Sequence, residues 1–90
     1  MKTAHIIVNG KVQGVGFRWF VQSEAANRGL TGTVRNLTDG TVEIWVDGND
    51  DEVDDLMKRL VTGNGYCKVT DSKVNWSRSE NKWSDFRILT

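Results

Sequence analysis

The nine residues GKVQGVGFR, at positions 10–18, lie between an apolar, β-branched run and a segment with helical periodicity. Gly14 and Gly16 lack a Cβ atom, so the backbone between them can adopt left-handed dihedral angles that direct several N–H groups to one point. A helix predicted from Phe17 adds unpaired N–H groups and the positive end of its dipole. Arg18, in its first turn, adds a planar set of donors suited to two phosphate oxygens. The stretch therefore predicts a strand, a turn and a helix that form an anion-binding loop.

Three other interpretations of this loop concern its glycines: a plain turn, a dinucleotide-binding loop and a P-loop. Gly14 and Gly16 also suit a plain strand-to-helix turn, and spacing alone does not separate that turn from a phosphate site. The dinucleotide pattern GxGxxG is absent because Trp19 occupies the position of the third glycine. The P-loop pattern is absent because no Gly-Lys-Ser/Thr closes the turn. The sequence therefore indicates neither type of nucleotide site.

Length and charge limit the class of protein. With 90 residues, the chain is expected to form one domain, residues 1–90. So small a domain has little room for a deep pocket, which favours a small charged substrate held in an exposed loop. The 12 basic residues balance the 12 acidic ones. A zero net charge argues against a general nucleic-acid or membrane-surface binder, whose affinity would need a basic excess.

Cysteine content and the N-terminal run bear on the location of the protein. Cys67 is the single cysteine, which excludes an internal disulfide framework and fits a reducing compartment. The apolar run at residues 4–8 is too short for a signal peptide or a membrane span. We therefore expect a cytoplasmic protein.

Periodicity and turn signals give the order of the elements. Asp39-Gly40 suits the positive φ angles of a hairpin turn, and Asn49 with Glu52 three residues later forms a capping box at a helix start. Predicted strands cover residues 3–10, 31–37, 41–46, 66–76 and 85–89, and predicted helices cover residues 17–28 and the segment between Asn49 and Gly63. The order βαββαβ with a short extra C-terminal strand predicts an α+β, ferredoxin-like sandwich, in which two helices cover one face of an antiparallel sheet.

The uncovered face of such a sheet raises the question of RNA binding. Alternation in the third strand places Val42, Ile44 and Val46 on the covered side and Trp45 on the open side. RNA-recognition modules share this topology and stack bases on aromatic side chains. Here the third strand has no RNP1-like pattern, and no basic stripe accompanies the aromatic residues. RNA binding is therefore the weaker interpretation.

The inventory of metal-ligating residues is sparse. His5 and Cys67 have no partners at a recognised ligand spacing. The acidic run at residues 47–55 is similar to a calcium loop, but Glu52 stands at its sixth position, where that loop needs glycine, and Lys58 at its twelfth, where it needs glutamate. The run is better interpreted as a helix start. No metal site is predicted.

Two separated motifs resemble those of one known family. Residues 8–18, VNGKVQGVGFR, resemble the first signature of the acylphosphatase family. Residues 32–36, GTVRN, followed by Gly40, Val42 and Gly48, resemble its second signature. Thr33 departs from the aromatic residue that the family usually has there, a difference expected to alter local packing more than chemistry. The resemblance spans nearly the whole chain and implies the same ferredoxin-like fold.

The resemblance implies hydrolysis of the carboxyl–phosphate bond of small acyl phosphates, without a metal or an organic cofactor. The implied partners are the acyl phosphate and inorganic phosphate, as product and competitive ligand. The zero net charge predicts no nucleic-acid and no membrane partner, and a small domain with zero net charge and a wet sheet face is expected to be a monomer. The implied phosphate-binding groups are the backbone N–H groups of Gln13, Gly14, Val15, Gly16, Phe17 and Arg18. Arg18 also anchors the phosphate by its side chain, and Asn36 orients the attacking water.

Physical chemistry makes this activity reasonable for residues without a strong base. Phosphoryl transfer has a loose transition state, so it needs mainly positioning and charge stabilisation. The departing carboxylate has a conjugate acid with a pKa of about 4, so it leaves as an anion without a proton donor. Taken alone, Asn36 would more simply be interpreted as a strand-end or turn residue. The motif around it favours the role in orienting water.

A non-catalytic module is the competing hypothesis. A phosphate- or carbamoyl-phosphate-sensing domain is one such module, and acylphosphatase-like domains occur at the N-terminus of the much longer hydrogenase-maturation carbamoyltransferases. The presence of both Arg18 and Asn36 favours an enzyme, and product turnover distinguishes the two hypotheses. The sequence leaves open which acyl group is preferred.

Overall fold

The chain folds as βαββαβ followed by a short fifth strand, in the order that the sequence predicts. The computed structural model describes residues 2–79 and 81–89. Its elements are β1 (Lys2–Lys11), α1 (Phe17–Asn27), β2 (Thr31–Asn36), β3 (Val42–Gly48), α2 (Asp50–Thr62), β4 (Lys68–Arg78) and β5 (Phe86–Ile88). The prediction of a ferredoxin-like α+β fold is confirmed.

The strands form a single mixed sheet in the order β4-β1-β3-β2-β5. β1 pairs antiparallel with β3 and β4, and β2 pairs antiparallel with β3. The short strand β5 instead runs parallel to β2. Since β1 and β2 are both antiparallel to β3, they run in the same direction and end at the same edge of the sheet. The register places Val8 of β1 and Asn36 of β2 opposite the same residue, Val42.

Both helices pack on one face of the sheet and enclose one core. The predicted alternation in β3 is confirmed, because Val42, Ile44 and Val46 are fully buried. Burying each such side chain stabilises the fold by roughly 1.5–3 kcal/mol. The helices contribute the buried side chains of Phe17, Phe20, Val21, Ala25, Val53, Leu56 and Leu60 to the same cluster. The core thus holds α1 against the sheet, so that the start of this helix lies near the ends of β1 and β2.

The other face of the sheet carries Trp45, as predicted. Its indole is stacked on His5 with ring centroids 4.0 Å apart, and Trp83 lies 6.4 Å away by the same measure. His5 and Thr33 are the register partners of Trp45 on the neighbouring strands. Trp45 is only half-buried, so these neighbours cover part of the open face without closing it.

No helix in residues 2–79 and 81–89 is long and apolar enough to cross a membrane. The longer of the two helices, α2, has 13 residues.

Candidate active site

A cleft of about 180 Å³ brings together the two side chains that the sequence singles out, Arg18 and Asn36. Arg18 lies in the first turn of α1, which follows β1, and Asn36 is the last residue of β2. Because β1 and β2 end at the same edge of the sheet, the helix start and the strand end meet there. The cleft is also lined by Val12, Gly14, Gly16, Phe17, Trp19 and Ile88. Its volume is smaller than that of typical drug-sized pockets, so it suits a small ligand.

The loop before α1 has the backbone geometry of an anion site. Gly14 has a φ of 74° and Gly16 a φ of 75°, both in the left-handed region that favours glycine. Gly16 is the N-cap of α1, so no N-cap side chain is present to accept hydrogen bonds from the first-turn N–H groups. The first turn also contains no acidic residue. These N–H groups are therefore available to an anion.

The second helix shows the opposite arrangement at its own start. The Asn49 side chain accepts a hydrogen bond from Glu52 N, and the Glu52 carboxylate accepts one from Asn49 N, both at 3.1 Å. The predicted capping box is thus confirmed. The first turn of α2 also holds three acidic side chains, at residues 50–52. In α2 the protein itself satisfies the positive helix end, whereas α1 directs that end into the cleft.

The guanidinium of Arg18 is held at the cleft by the C-terminal segment. Its Nη1 donates a hydrogen bond to Leu89 O at 3.1 Å. Leu89 N in turn donates to Val34 O of β2 at 2.8 Å. One donor of the guanidinium is therefore used to orient the side chain, and its remaining N–H groups can serve a ligand. Arg18 is also the sole ionisable residue among those that line the cleft.

The side-chain oxygen of Asn36 is buried and has no partner in the protein. Within the described part of the chain, Asn36 Oδ1 is the one buried side-chain polar atom without a hydrogen-bond partner. Leaving such an acceptor unpaired costs about 1–3 kcal/mol. Asn36 is also one of the residues that line the cleft, so a donor that reaches Oδ1 from the cleft would satisfy it.

Gln13 and Val15 lie in the same loop but do not line the cleft. The Gln13 side chain donates from Nε2 to Leu37 O at 2.8 Å and to Thr41 O at 2.9 Å. The Val15 side chain packs against the core, and Val15 O accepts a hydrogen bond from Asn64 Nδ2 at 3.3 Å. These contacts tie the loop to the β2–β3 turn on one side and to the segment after α2 on the other.

Several residues of this site carry no signal that sequence reasoning could use. Asn64 and Leu89 act through single contacts with Val15 and Arg18 that depend on the folded chain. Trp19 and Ile88 line the cleft although both are exposed, Trp19 to 68%. The Gln13 side chain falls within the recognised motif, but only the structure gives its acceptors.

Fold and cleft together define a class of protein: a small α+β protein with an uncapped strand–helix loop beside an arginine, an arrangement suited to a phosphate-like anion. Comparison with known proteins agrees with this class. The acylphosphatase family model matches residues 4–88. An acylphosphatase of Bacillus pumilus is 48% identical over 84 residues, which cover 93% of each chain. An acylphosphatase of Chlorobaculum tepidum is 47% identical over 89 residues, 99% of this chain and 97% of that protein.

A solved structure gives the same result. The crystal structure of acylphosphatase from Bacillus subtilis superposes with a TM-score of 0.93 and 43% identity, and the match covers 100% of both chains. The chain belongs to the acylphosphatase family. The family resemblance inferred from residues 8–18 and 32–36 is therefore confirmed.

Proposed function

We propose that the chain hydrolyses its acyl phosphate in the cleft between Arg18 and Asn36. Acylphosphatase activity, the hydrolysis of a carboxyl–phosphate bond to a carboxylate and inorganic phosphate, follows from the family. The assignment of residues to that reaction is supported by one observation above all. The start of α1 and the end of β2 meet at one small cleft, which brings together an uncapped helix end, the Arg18 guanidinium and the Asn36 side chain, whose buried oxygen is unpaired.

The first role is to bind the phosphoryl group. The backbone N–H groups of Gln13, Gly14, Val15, Gly16, Phe17 and Arg18 donate to its oxygens, helped by the positive end of the α1 dipole. The Arg18 guanidinium, oriented by Leu89 O, donates to two phosphoryl oxygens and neutralises part of their charge. Since charge is spread over the equatorial oxygens in the transition state, the same donors stabilise it.

The second role is to position water. Asn36 Oδ1 accepts a hydrogen bond from a water molecule, which turns an oxygen lone pair of that water toward phosphorus. The P–O bond to the acyl group breaks with its electron pair on the departing carboxylate, as the water oxygen bonds to phosphorus. The water protons end on the phosphate product, so an acyl phosphate dianion yields a carboxylate and dihydrogen phosphate. The carboxylate needs no proton donor because its conjugate acid has a pKa of about 4.

The water-positioning role predicts a selective loss of turnover in Asn36→Ala. We expect kcat to fall on the order of 10²- to 10³-fold, the usual effect of losing one positioned polar group, whereas inhibition by phosphate changes little. Hydrolysis of an aromatic acyl phosphate, followed by ultraviolet absorbance with chelator present, measures both constants. Asn75→Ala, in the exposed strand β4, is the matched control. A kcat near that of the unsubstituted protein would remove Asn36 from the mechanism.

We further propose that the protein is cytoplasmic and monomeric. The cytoplasmic location is supported by the single cysteine, Cys67, which is unpaired. Sedimentation over a range of concentrations tests the monomer. The competing hypothesis, a module that binds phosphate without turnover, predicts phosphate binding with no release of product in the same absorbance assay.

A further inference from the structure

The side chain of Gln13 connects the two halves of the cleft. Gln13 lies in the loop between β1 and α1, yet both its Nε2 hydrogens are donated outside that loop, to Leu37 O at 2.8 Å and to Thr41 O at 2.9 Å. Both distances are in the range of good hydrogen bonds. The side chain is partly buried, so water competes less for these bonds than it would at an open surface.

The two acceptors lie just beyond the Asn36–Val42 pair, one on each side of the β2–β3 turn. Leu37 follows Asn36 directly in the chain, and Thr41 precedes Val42, the register partner of Asn36 on β3. The turn between them has its own bonds: Leu37 N donates to Thr41 O at 2.9 Å. The amide of Gln13 therefore binds both ends of the β2–β3 turn, one residue beyond Asn36 and its register partner Val42.

We propose that Gln13 is a positioning residue, whose side chain sets the distance between the phosphate-binding loop and the Asn36 carboxamide. The inference rests on the proposed function, in which the loop holds phosphorus and Asn36 holds the attacking water. Rate is very sensitive to that separation, because a misplacement of about 1 Å can cost roughly 100-fold. Without the Gln13 amide the loop still carries its glycines, Arg18 and the uncapped helix end. Phosphate binding should therefore persist while turnover falls.

The Gln13→Met substitution tests this role, since methionine keeps an unbranched chain of similar length and removes both donors. We expect kcat to fall about 10- to 100-fold, with the inhibition constant for inorganic phosphate changed by less than about threefold. Asn75→Leu is the matched control, because it removes a carboxamide from the exposed strand β4, outside the cleft. Its kcat should equal that of the unsubstituted protein.

A double-mutant cycle separates positioning from simple stabilisation. If Gln13 acts through Asn36, adding Gln13→Met to Asn36→Ala should lower kcat by less than about threefold, because the group that it positions is already gone. If the two losses multiply, or if Gln13→Met alone keeps normal kcat, the inference is wrong. Should Gln13→Met fail to fold, Gln13→Asn, whose amide is one methylene too short to reach both carbonyls, takes its place in the cycle.

The same cycle distinguishes failure of this inference from failure of the proposed function. An Asn36→Ala variant with normal kcat would overturn the proposed mechanism and, with it, the role of Gln13. A low kcat in Asn36→Ala, combined with an independent and multiplicative effect of Gln13→Met, would leave the mechanism intact and overturn the positioning role alone.

Discussion

Replacing Arg18 by lysine tests the geometry of the phosphate site while preserving its charge. In the structure the guanidinium donates one hydrogen bond to Leu89 O, and in the proposed mechanism two other N–H groups donate to phosphoryl oxygens. A lysine ammonium is a point charge that cannot present two parallel donors at this spacing. The variant therefore loses at least one charge-assisted hydrogen bond to phosphate, worth about 1.5–3 kcal/mol. Since 1.4 kcal/mol is a factor of ten, affinity for phosphate should fall about 10- to 100-fold.

Titration calorimetry with inorganic phosphate measures this loss directly, and hydrolysis of the aromatic acyl phosphate should show a fall in kcat/KM at least as large. Arg35→Lys is the matched control, because Arg35 donates to Glu43 at 2.7 Å and is not in the cleft. Circular dichroism checks that both variants fold. If the affinity of Arg18→Lys for phosphate is within about twofold of that of the unsubstituted protein, Arg18 makes no bidentate contact and the phosphate lies elsewhere.

Two further predictions concern stability, each measured by urea unfolding. Gly32→Ala should lower the free energy of unfolding by more than about 2 kcal/mol, because Gly32 has a φ of 151° and an added Cβ would lie 1.8 Å from Trp45 O. Gly40 has a φ of 92° but no atom within 4 Å of an added Cβ, so Gly40→Ala should lower the free energy of unfolding by less. Equal losses in the two variants would contradict the steric argument. Burial acts to raise the pKa of the Glu43 carboxyl, but hydrogen bonds from His5 and Arg35 outweigh it and hold that pKa below its ordinary value of 4.5. A lowered pKa in the folded state means stabilisation that is present above the unfolded pKa and lost as the pH falls through the folded one. The unsubstituted protein should therefore have a larger free energy of unfolding than Glu43→Gln at about pH 7, and this difference should shrink below about pH 4.5. A difference that stays constant with pH would show that unfolding does not change the protonation of Glu43.

Local patterns account for most of what could be predicted about the fold. The capping box at Asn49 and Glu52 and the alternation in β3 depend on neighbours in the chain, and both were confirmed. The hairpin at Asp39-Gly40 also forms, but of these two residues only Gly40 has a positive φ. Strand ends were less well predicted: β3 continues to Gly48, and β4 begins at Lys68 and extends to Arg78. Strand ends are set by pairing with β1, a contact distant in sequence.

The pairing of β5 shows the same dependence on distant contacts. The sequence predicts a short final strand but gives no partner for it. In the folded chain β5 runs parallel to β2, with Gly32 opposite Phe86. That pairing brings Leu89 next to Val34 and so gives Arg18 the carbonyl that orients it. The orientation of Arg18 thus depends on a strand whose position the sequence does not specify.

The sequence by itself determined the elements, the family and the chemical identity of the groups proposed to act, because glycine spacing, helix periodicity and the residue types of the two motifs are local properties. Only the tertiary structure decided that these groups meet. Arg18 and Asn36 come together because β1 and β2 both run antiparallel to β3 and so end at one edge of the sheet. The bonds from Gln13 to Leu37 O and Thr41 O, and the unpaired state of Asn36 Oδ1, are likewise properties of the packed chain. Distances between residues remote in sequence arise only when the core fixes the strands and helices that carry them.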